Sequence, residues 1–166
     1  MSVLVFPLAG PLQSWVSGPH TNWRMSQRLP TQSAVLGLLA AALGLPRGDL
    51  GPLPTLRLAV RVDHPGQLLM DYQTVQKPYN TSGKTKSLVT RRWLLADAAF
   101  TVAVEGEPAL LESLHAGLRD PVFPLYLGRN SCPPAVPLWQ PDGLRPDQTL
   151  DDALAPGPAV VLETIA

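Results

Sequence analysis

The sequence has little charge. Asp, Glu, Lys and Arg make up 16% of its 166 residues, low for a small domain surrounded by water. A large partner surface would account for the shortage, as would a proline-rich, heat-stable surface. There is one cysteine, Cys132, so no disulfide forms within the chain and a reducing compartment fits. The longest apolar run, Ala34 to Leu45, is too short to span a bilayer. The start, Met1 to Leu8, lacks a basic n-region and reads as a strand. The expectation is a soluble cytoplasmic protein with no membrane partner. No two of His20, His64 and His115 have metal-ligand spacing, and Cys132 has no Cys or His beside it. Clustered carboxylates, a nucleophile elbow and a P-loop are missing too. Neither a metal nor a cofactor is expected.

What is present is uneven. Net charge is zero, but residues 1–92 carry 10 basic and 3 acidic groups (+7), and residues 93–166 carry 3 basic and 10 acidic groups (−7). Between Lys77 and Arg92 there are five basic residues and no acidic one. Such a split points to a polyanion on one side. Hydrophobic content of 45% supports a real core, and 19 prolines with 13 glycines make many turns and leave little room for long helices. The length suits one domain, or one domain with a fragment of a second.

Along the chain, Ser2 to Leu8 alternates as a first strand. Ala9 to Pro30 has no helical period and reads as a long functional loop holding Trp15 and Trp23. Thr31 to Leu43 reads as a helix, capped by Thr31 and stopped by Gly44 and Pro46. It is apolar on nearly every side and so should be buried, with Gly37 permitting a close backbone approach. Strands come next at Leu56–Asp63, Leu68–Val75, Leu88–Leu95 and Ala98–Val104, with a polar excursion over Gln76–Lys86. Pro108 to Leu118 is a helix whose apolar face holds Leu110, Leu111, Leu114 and Leu118. Pro121 to Cys132 begins with a short apolar stretch, and Pro133 to Ala166 is proline-rich and acidic, with a late apolar run. The order is that of an α+β, ferredoxin-like (RRM-like) split βαβ core. RNA-binding modules of that type present an open sheet face.

Basic groups on a flexible hairpin can track phosphates, and Tyr72, Tyr79 and Trp93 offer rings for bases. The competing expectation places Tyr72 and Trp93 in the core at the hairpin base. Free N–H groups at the start of the first helix, near Thr31 and Ser33, favour an anion, with Arg24 or Arg28 nearby.

Five blocks carry a family resemblance. They are Leu8-Ala9-Gly10-Pro11-Leu12-Gln13-Ser14-Trp15; Pro30-Thr31-Gln32-Ser33 with Gly37-Leu38-Leu39 and Leu43-Gly44; Asp71-Tyr72-Gln73-Thr74-Val75; Asp97-Ala98-Ala99-Phe100-Thr101-Val102-Ala103; and Tyr126-Leu127-Gly128-Arg129-Asn130-Ser131-Cys132-Pro133. In this order, over about residues 4–137, the chain resembles the CasD subunits of type I-E CRISPR Cascade complexes, within the Cas five family.

The resemblance implies a ferredoxin-like core with a protruding β-hairpin thumb at about 76–92, and a partial C-terminal β extension. The division is 1–132 for the RNA-binding domain and 133–166 for an incomplete extension. It implies a non-catalytic subunit that grips the 5′ handle of CRISPR RNA and caps the complex's backbone, beside backbone-forming and large subunits. The candidate RNA-binding residues are Trp15, His20, Arg24, Arg28, Thr31, Ser33, Lys77, Tyr79, Lys84, Lys86, Arg91, Arg92, Gly128, Arg129 and Asn130. The chain departs from the family pattern at Val16, where Gly is usual, and at Gln73, where His is common. Relatives also continue further, so a truncated or shortened member is expected.

The alternative is a metal-independent endoribonuclease, like relatives of a sibling subtype that cleave the repeat with Tyr and an adjacent Lys-His pair. This sequence has no such pair, and Gln73 cannot act as a base. His20, Tyr72 and Lys84 are the residues that would have to converge.

Overall fold

A computed structural model describes residues 2–16, 23–77, 86–157 and 159–162. The architecture is α+β, a mostly antiparallel sheet with few helices. Strands β1 (Ser2–Gln13), β3 (Arg57–His64), β4 (Gln67–Lys77) and β5 (Lys86–Gly106) form most of the sheet. Two-residue β2 (Trp23–Arg24), β6 (Leu144–Pro146) and β7 (Ala159–Leu162) extend it. The order is β6-β1-β5-β3-β7, with β2 and β4 also on β5. Helices α1 (Gln32–Leu43) and α2 (Pro108–Arg119) pack together, and short α3 (Leu150–Leu154) meets β1, β3 and β5.

Alternation along the strands sorts two cores. Leu4, Phe6, Leu8, Leu58, Val60, Phe100, Val102 and Val104 lie in one cluster with Val35, Leu39, Leu111 and Leu114 of the helices. Val3, Val5, Ala59 and Ala103, one register step away, form a second cluster with Leu150, Ala153 and Leu154 of α3. This is the period-2 side-chain pattern of a sheet covered on both faces. Helix α1 buries Val35, Leu36, Leu38, Leu39, Ala40 and Ala42, as its all-round apolarity implies. Its cap is as expected: Thr31 Oγ1 accepts from the Ala34 N–H at 3.3 Å, and Gly44 ends the helix in the left-handed region. Gly37 is different. It is exposed, and a Cβ there would meet nothing within 4 Å, so no close backbone approach explains it.

Three expectations about the strands need correction. The long loop starts later, because β1 runs on to Gln13, and β2 interrupts the remainder of it. The two strands expected at 88–95 and 98–104 are one 21-residue strand, β5. It changes partners near Asp97, whose φ of 54° bends the chain without ending it. His64 Nδ1 lies 2.6 Å from the Asp97 carbonyl at this bend. The hairpin is also longer than the expected excursion, since β4 and β5 pair from Gln67↔Ala96 to Lys77↔Lys86. Residues 133–162 contribute β6, α3 and β7 to the same body. The Ala135 N–H donates to the Ala9 carbonyl at 2.9 Å and the Val5 N–H to the Gly143 carbonyl at 2.7 Å. No helix among the described residues is long and apolar enough to cross a membrane.

Candidate nucleic-acid interface

Three chain segments converge where β1 gives way to the hairpin. Strand β2 runs parallel to β5 and sets Trp23 opposite Arg91 and Arg24 opposite Arg92. From the other side β4 sets Tyr72 opposite Arg91 and Asp71 opposite Arg92. Directly opposed residues project from the same face of a sheet. Arg24, Arg92, Asp71 and Gln73 therefore share one face of the hairpin, and Arg91, Tyr72, Trp93 and Met70 share the other.

The third segment is the 127–132 turn. The Ser14 N–H donates to the Leu127 carbonyl at 3.0 Å, the Leu127 N–H to Cys132 at 2.7 Å, and the Cys132 N–H to Arg129 at 2.8 Å. Gly128 takes φ +88°, and a Cβ there would fall 1.9 Å from the Ser14 carbonyl oxygen. Only glycine satisfies both demands. Leu127 and Cys132 anchor the turn in the core, leaving Arg129 half-buried and Asn130 exposed.

This anchoring carries Arg129 to the Arg92 face. Burial lowers the Arg129 pKa first, and the positive charge of Arg92 lowers it next; Arg24 adds to that, while Cys132 and Asp71 oppose it. Arg129 thus lies within electrostatic reach of Arg92, Arg24 and Asp71. Asp71 accepts from Gln73 Nε2 at 2.5 Å. Among the described residues neither Arg92 nor Arg129 forms an ion pair, and the covered Arg92 Nε has no hydrogen-bond partner. Two neighbouring cations such as Arg92 and Arg129 repel each other, and an anion joining them relieves that repulsion. The arrangement can hold phosphate oxygens with forked, charge-assisted donors.

The expected residues are sorted accordingly. Arg24, Arg92, Gly128 and Arg129 come together, with Arg91 on the opposite hairpin face and Asn130 exposed on the turn. Arg28 and Ser33 are exposed near the start of α1, and the Thr31 hydroxyl serves as the helix cap. Lys77 and Lys86 pair through their backbones at the far end of the hairpin. His20, Tyr79 and Lys84 lie outside the described residues. Trp15 requires correction as an RNA contact. Its side chain is 0% exposed, and its indole N–H donates to Gln13 Oε1 at 2.9 Å, so no ring face is available to a base. Gln13 is also fully buried and donates to the Ala98 carbonyl at 2.7 Å, which ties Trp15 to β5.

Sequence reasoning missed Asp71 as a member of the arginine face and Arg91 as a partner of Tyr72. The hairpin register would have revealed both, by counting back along β4 and β5 from a common turn. His64 and His115 are engaged away from this face, His115 through Nε2 at 2.8 Å from the Gln140 carbonyl. No group of three or more His, Cys, Asp or Glu residues among the described residues is placed to hold a metal.

The model of the CRISPR-associated protein (Cas_Cas5) family matches residues 3–164. The chain belongs to this Cas5 family. Within it, the chain is 35% identical to the CRISPR system Cascade subunit CasD of Escherichia coli (strain K12) over 159 residues, covering 83% of this chain and 70% of that protein. A solved Cas protein superposes with a TM-score of 0.71 at 44% identity, over 92% of this chain and 69% of its own. A chain of a CRISPR RNA-guided surveillance complex also gives 0.71, at 35% identity, over 82% of this chain and 61% of its own. The arginine face and the 127–132 turn fall inside the span matched by the Cas5 family model.

Proposed function

We propose that this chain is a subunit of a Cascade-type CRISPR RNA-guided surveillance complex, where it binds the 5′ handle of CRISPR RNA and caps the backbone without cutting RNA. The observation that carries the reading is the Arg24, Arg92 and Arg129 face, assembled from three separate segments around Asp71. Such a face, with Lys77 and Lys86 further along the same hairpin, suits a phosphodiester chain better than a single small anion. The similarity to CasD supports placing that chain in Cascade. Its partners are then the CRISPR RNA handle and the backbone-forming and large subunits, in the cytoplasm.

The fold reading is a ferredoxin-like core with a thumb. Strand order β6-β1-β5-β3, with α1 after β1 and α2 after β5, supports the split βαβ core. The β4–β5 hairpin supports the thumb, with Lys77 and Lys86 paired at its far end; Tyr79 and Lys84, which come between them in the sequence, lie outside the described residues. Residues 1–132 form the RNA-binding part and 133–166 the extension. Arg28, Thr31 and Ser33 flank the path at the start of α1.

The test is binding of a handle-sequence oligoribonucleotide across a salt series, comparing the chain with an Arg92→Ala, Arg129→Ala double variant. Each lost phosphate contact lowers the log–log salt slope by about 0.7 for a single strand. A fall of about 1.4 supports the assignment. An unchanged slope and affinity overturn it.

A further inference from the structure

The arginines proposed to hold phosphates occupy one face of the hairpin, and the other face is left without a role. Tyr72 is 56% exposed there, Met70 45% and Val89 37%. The Arg91 guanidinium lies over the Tyr72 ring, 5.8 Å from its centroid. Trp93 comes after Arg91 on this face, opposite Met70, and its covered indole N–H meets no acceptor among the described residues. Folded proteins rarely leave such a donor unmet. The face thus combines an exposed aromatic ring, a guanidinium above it and, beneath the surface, an indole N–H that lacks an acceptor.

We propose that Tyr72, Arg91 and Trp93 form a seat for one unstacked nucleobase of the RNA whose phosphates lie on the Arg24, Arg92 and Arg129 face. This rests on the RNA-binding reading and deepens it. A base offers a π-face to Tyr72 and the guanidinium plane, and ring carbonyl or nitrogen acceptors to an N–H donor; proteins hold splayed single-stranded bases in this way.

A protein surface would also use Met70 and Val89, but the position of the face favours a base. Arg91 and Arg92 are consecutive on β5, and Tyr72 and Asp71 are consecutive on β4. The base seat and the phosphate face are therefore the two sides of the same residue pairs. Strand β4 pairs only with β5 among the described strands, so its outer edge gives a nucleic-acid strand a route from one side to the other. The seat selects for a flat, unpaired base and against duplex RNA, whose bases are stacked and paired.

The experiment uses handle-sequence single-stranded RNAs carrying 2-aminopurine at successive positions, bound to the full chain. One position is expected to lose several-fold more fluorescence than the others on binding. Tyr72→Ala should restore that signal and weaken binding roughly five- to 150-fold, the range for losing one base stack. Tyr72→Phe should keep both the quenching and the affinity. The salt slope should not change in either variant, because no phosphate contact is lost. If RNA binds with the wild-type slope but no position is quenched, or if Tyr72→Ala leaves the quenching intact, the seat is wrong and the RNA-binding reading stands. If RNA does not bind at all, both fall. If Tyr72→Ala leaves RNA binding intact but breaks association with the other Cascade subunits, the face is a protein contact and the seat is refuted.

Discussion

Replacing Gly128 by Ala tests whether the arginine face depends on the 127–132 turn. At φ +88°, an L-residue costs about 1–2 kcal/mol of backbone strain. The added Cβ would lie 1.9 Å from the Ser14 carbonyl oxygen and 2.8 Å from its carbon, both backbone atoms. No side chain can swing away, so the turn must separate from the end of β1. Separation breaks the bond from the Ser14 N–H to Leu127, a net loss of about 1 kcal/mol. The total is about 2–3 kcal/mol. With a urea m-value of about 2 kcal/mol/M, the unfolding midpoint falls by about 1–1.5 M. At urea concentrations where the variant is still folded, RNA affinity should fall too, because Arg129 moves with the turn. A midpoint within about 0.2 M of wild type, with RNA affinity unchanged, would refute the claim that this glycine positions the site.

Other expectations rest on the same structure. Replacing Lys84 and Lys86 by Ala should lower the salt slope of RNA binding by about 1.4 if the thumb tip tracks two phosphates, which a salt titration reads directly. Burial pushes the Cys132 thiol above its usual pKa, more than Ser131 and Arg129 pull it down. The folded chain should therefore resist iodoacetamide and be labelled only as fast as it opens. A raised folded pKa gives stability that is intact below about pH 9 and is lost as pH rises further, since the unfolded thiol ionises first. Cys132→Ala should flatten that alkaline limb in urea melts. Incubation with labelled repeat RNA in EDTA should leave the RNA uncut on a denaturing gel. A discrete product that disappears in His20→Ala would promote the endoribonuclease alternative.

Much of the fold was legible because local signals agreed. Thr31 and Gly44 bracket α1 almost to the residue, and Leu111, Leu114 and Leu118 mark the buried face of α2. The misses came where tertiary pairing overrode local pattern. Nothing local distinguishes a break at Asp97 from a bend that keeps pairing on both sides, so β5 read as two strands. Gly10-Pro11 reads as a turn signal, yet β1 continues through it, its Gly10, Leu12 and Gln13 held against Ala98, Ala96 and Leu95. Trp15 was misplaced because an aromatic residue in a loop fits core and ligand equally well; its burial goes with the Gln13 bond and with Gly128, which lies against the indole from far along the chain. For the site, the basic run pointed to the hairpin that carries Arg91 and Arg92. The division of Arg91 and Arg92 between opposite faces needed the hairpin register, and the approach of Arg129 needed the whole fold.

The pairing of β5 has a consequence for synthesis. Strands β1, β2, β3 and β4 each pair with β5, and none of the four pairs with another. As the chain leaves the ribosome, everything before Lys86 emerges without a strand to join, and β1 and β3 expose apolar edges until Gly106 is out. Contacts so distant in sequence form slowly, and unpaired edges invite other chains. Any fragment ending before residue 86 should be insoluble, and one ending soon after 106 should be the first to bring these four strands into a single sheet.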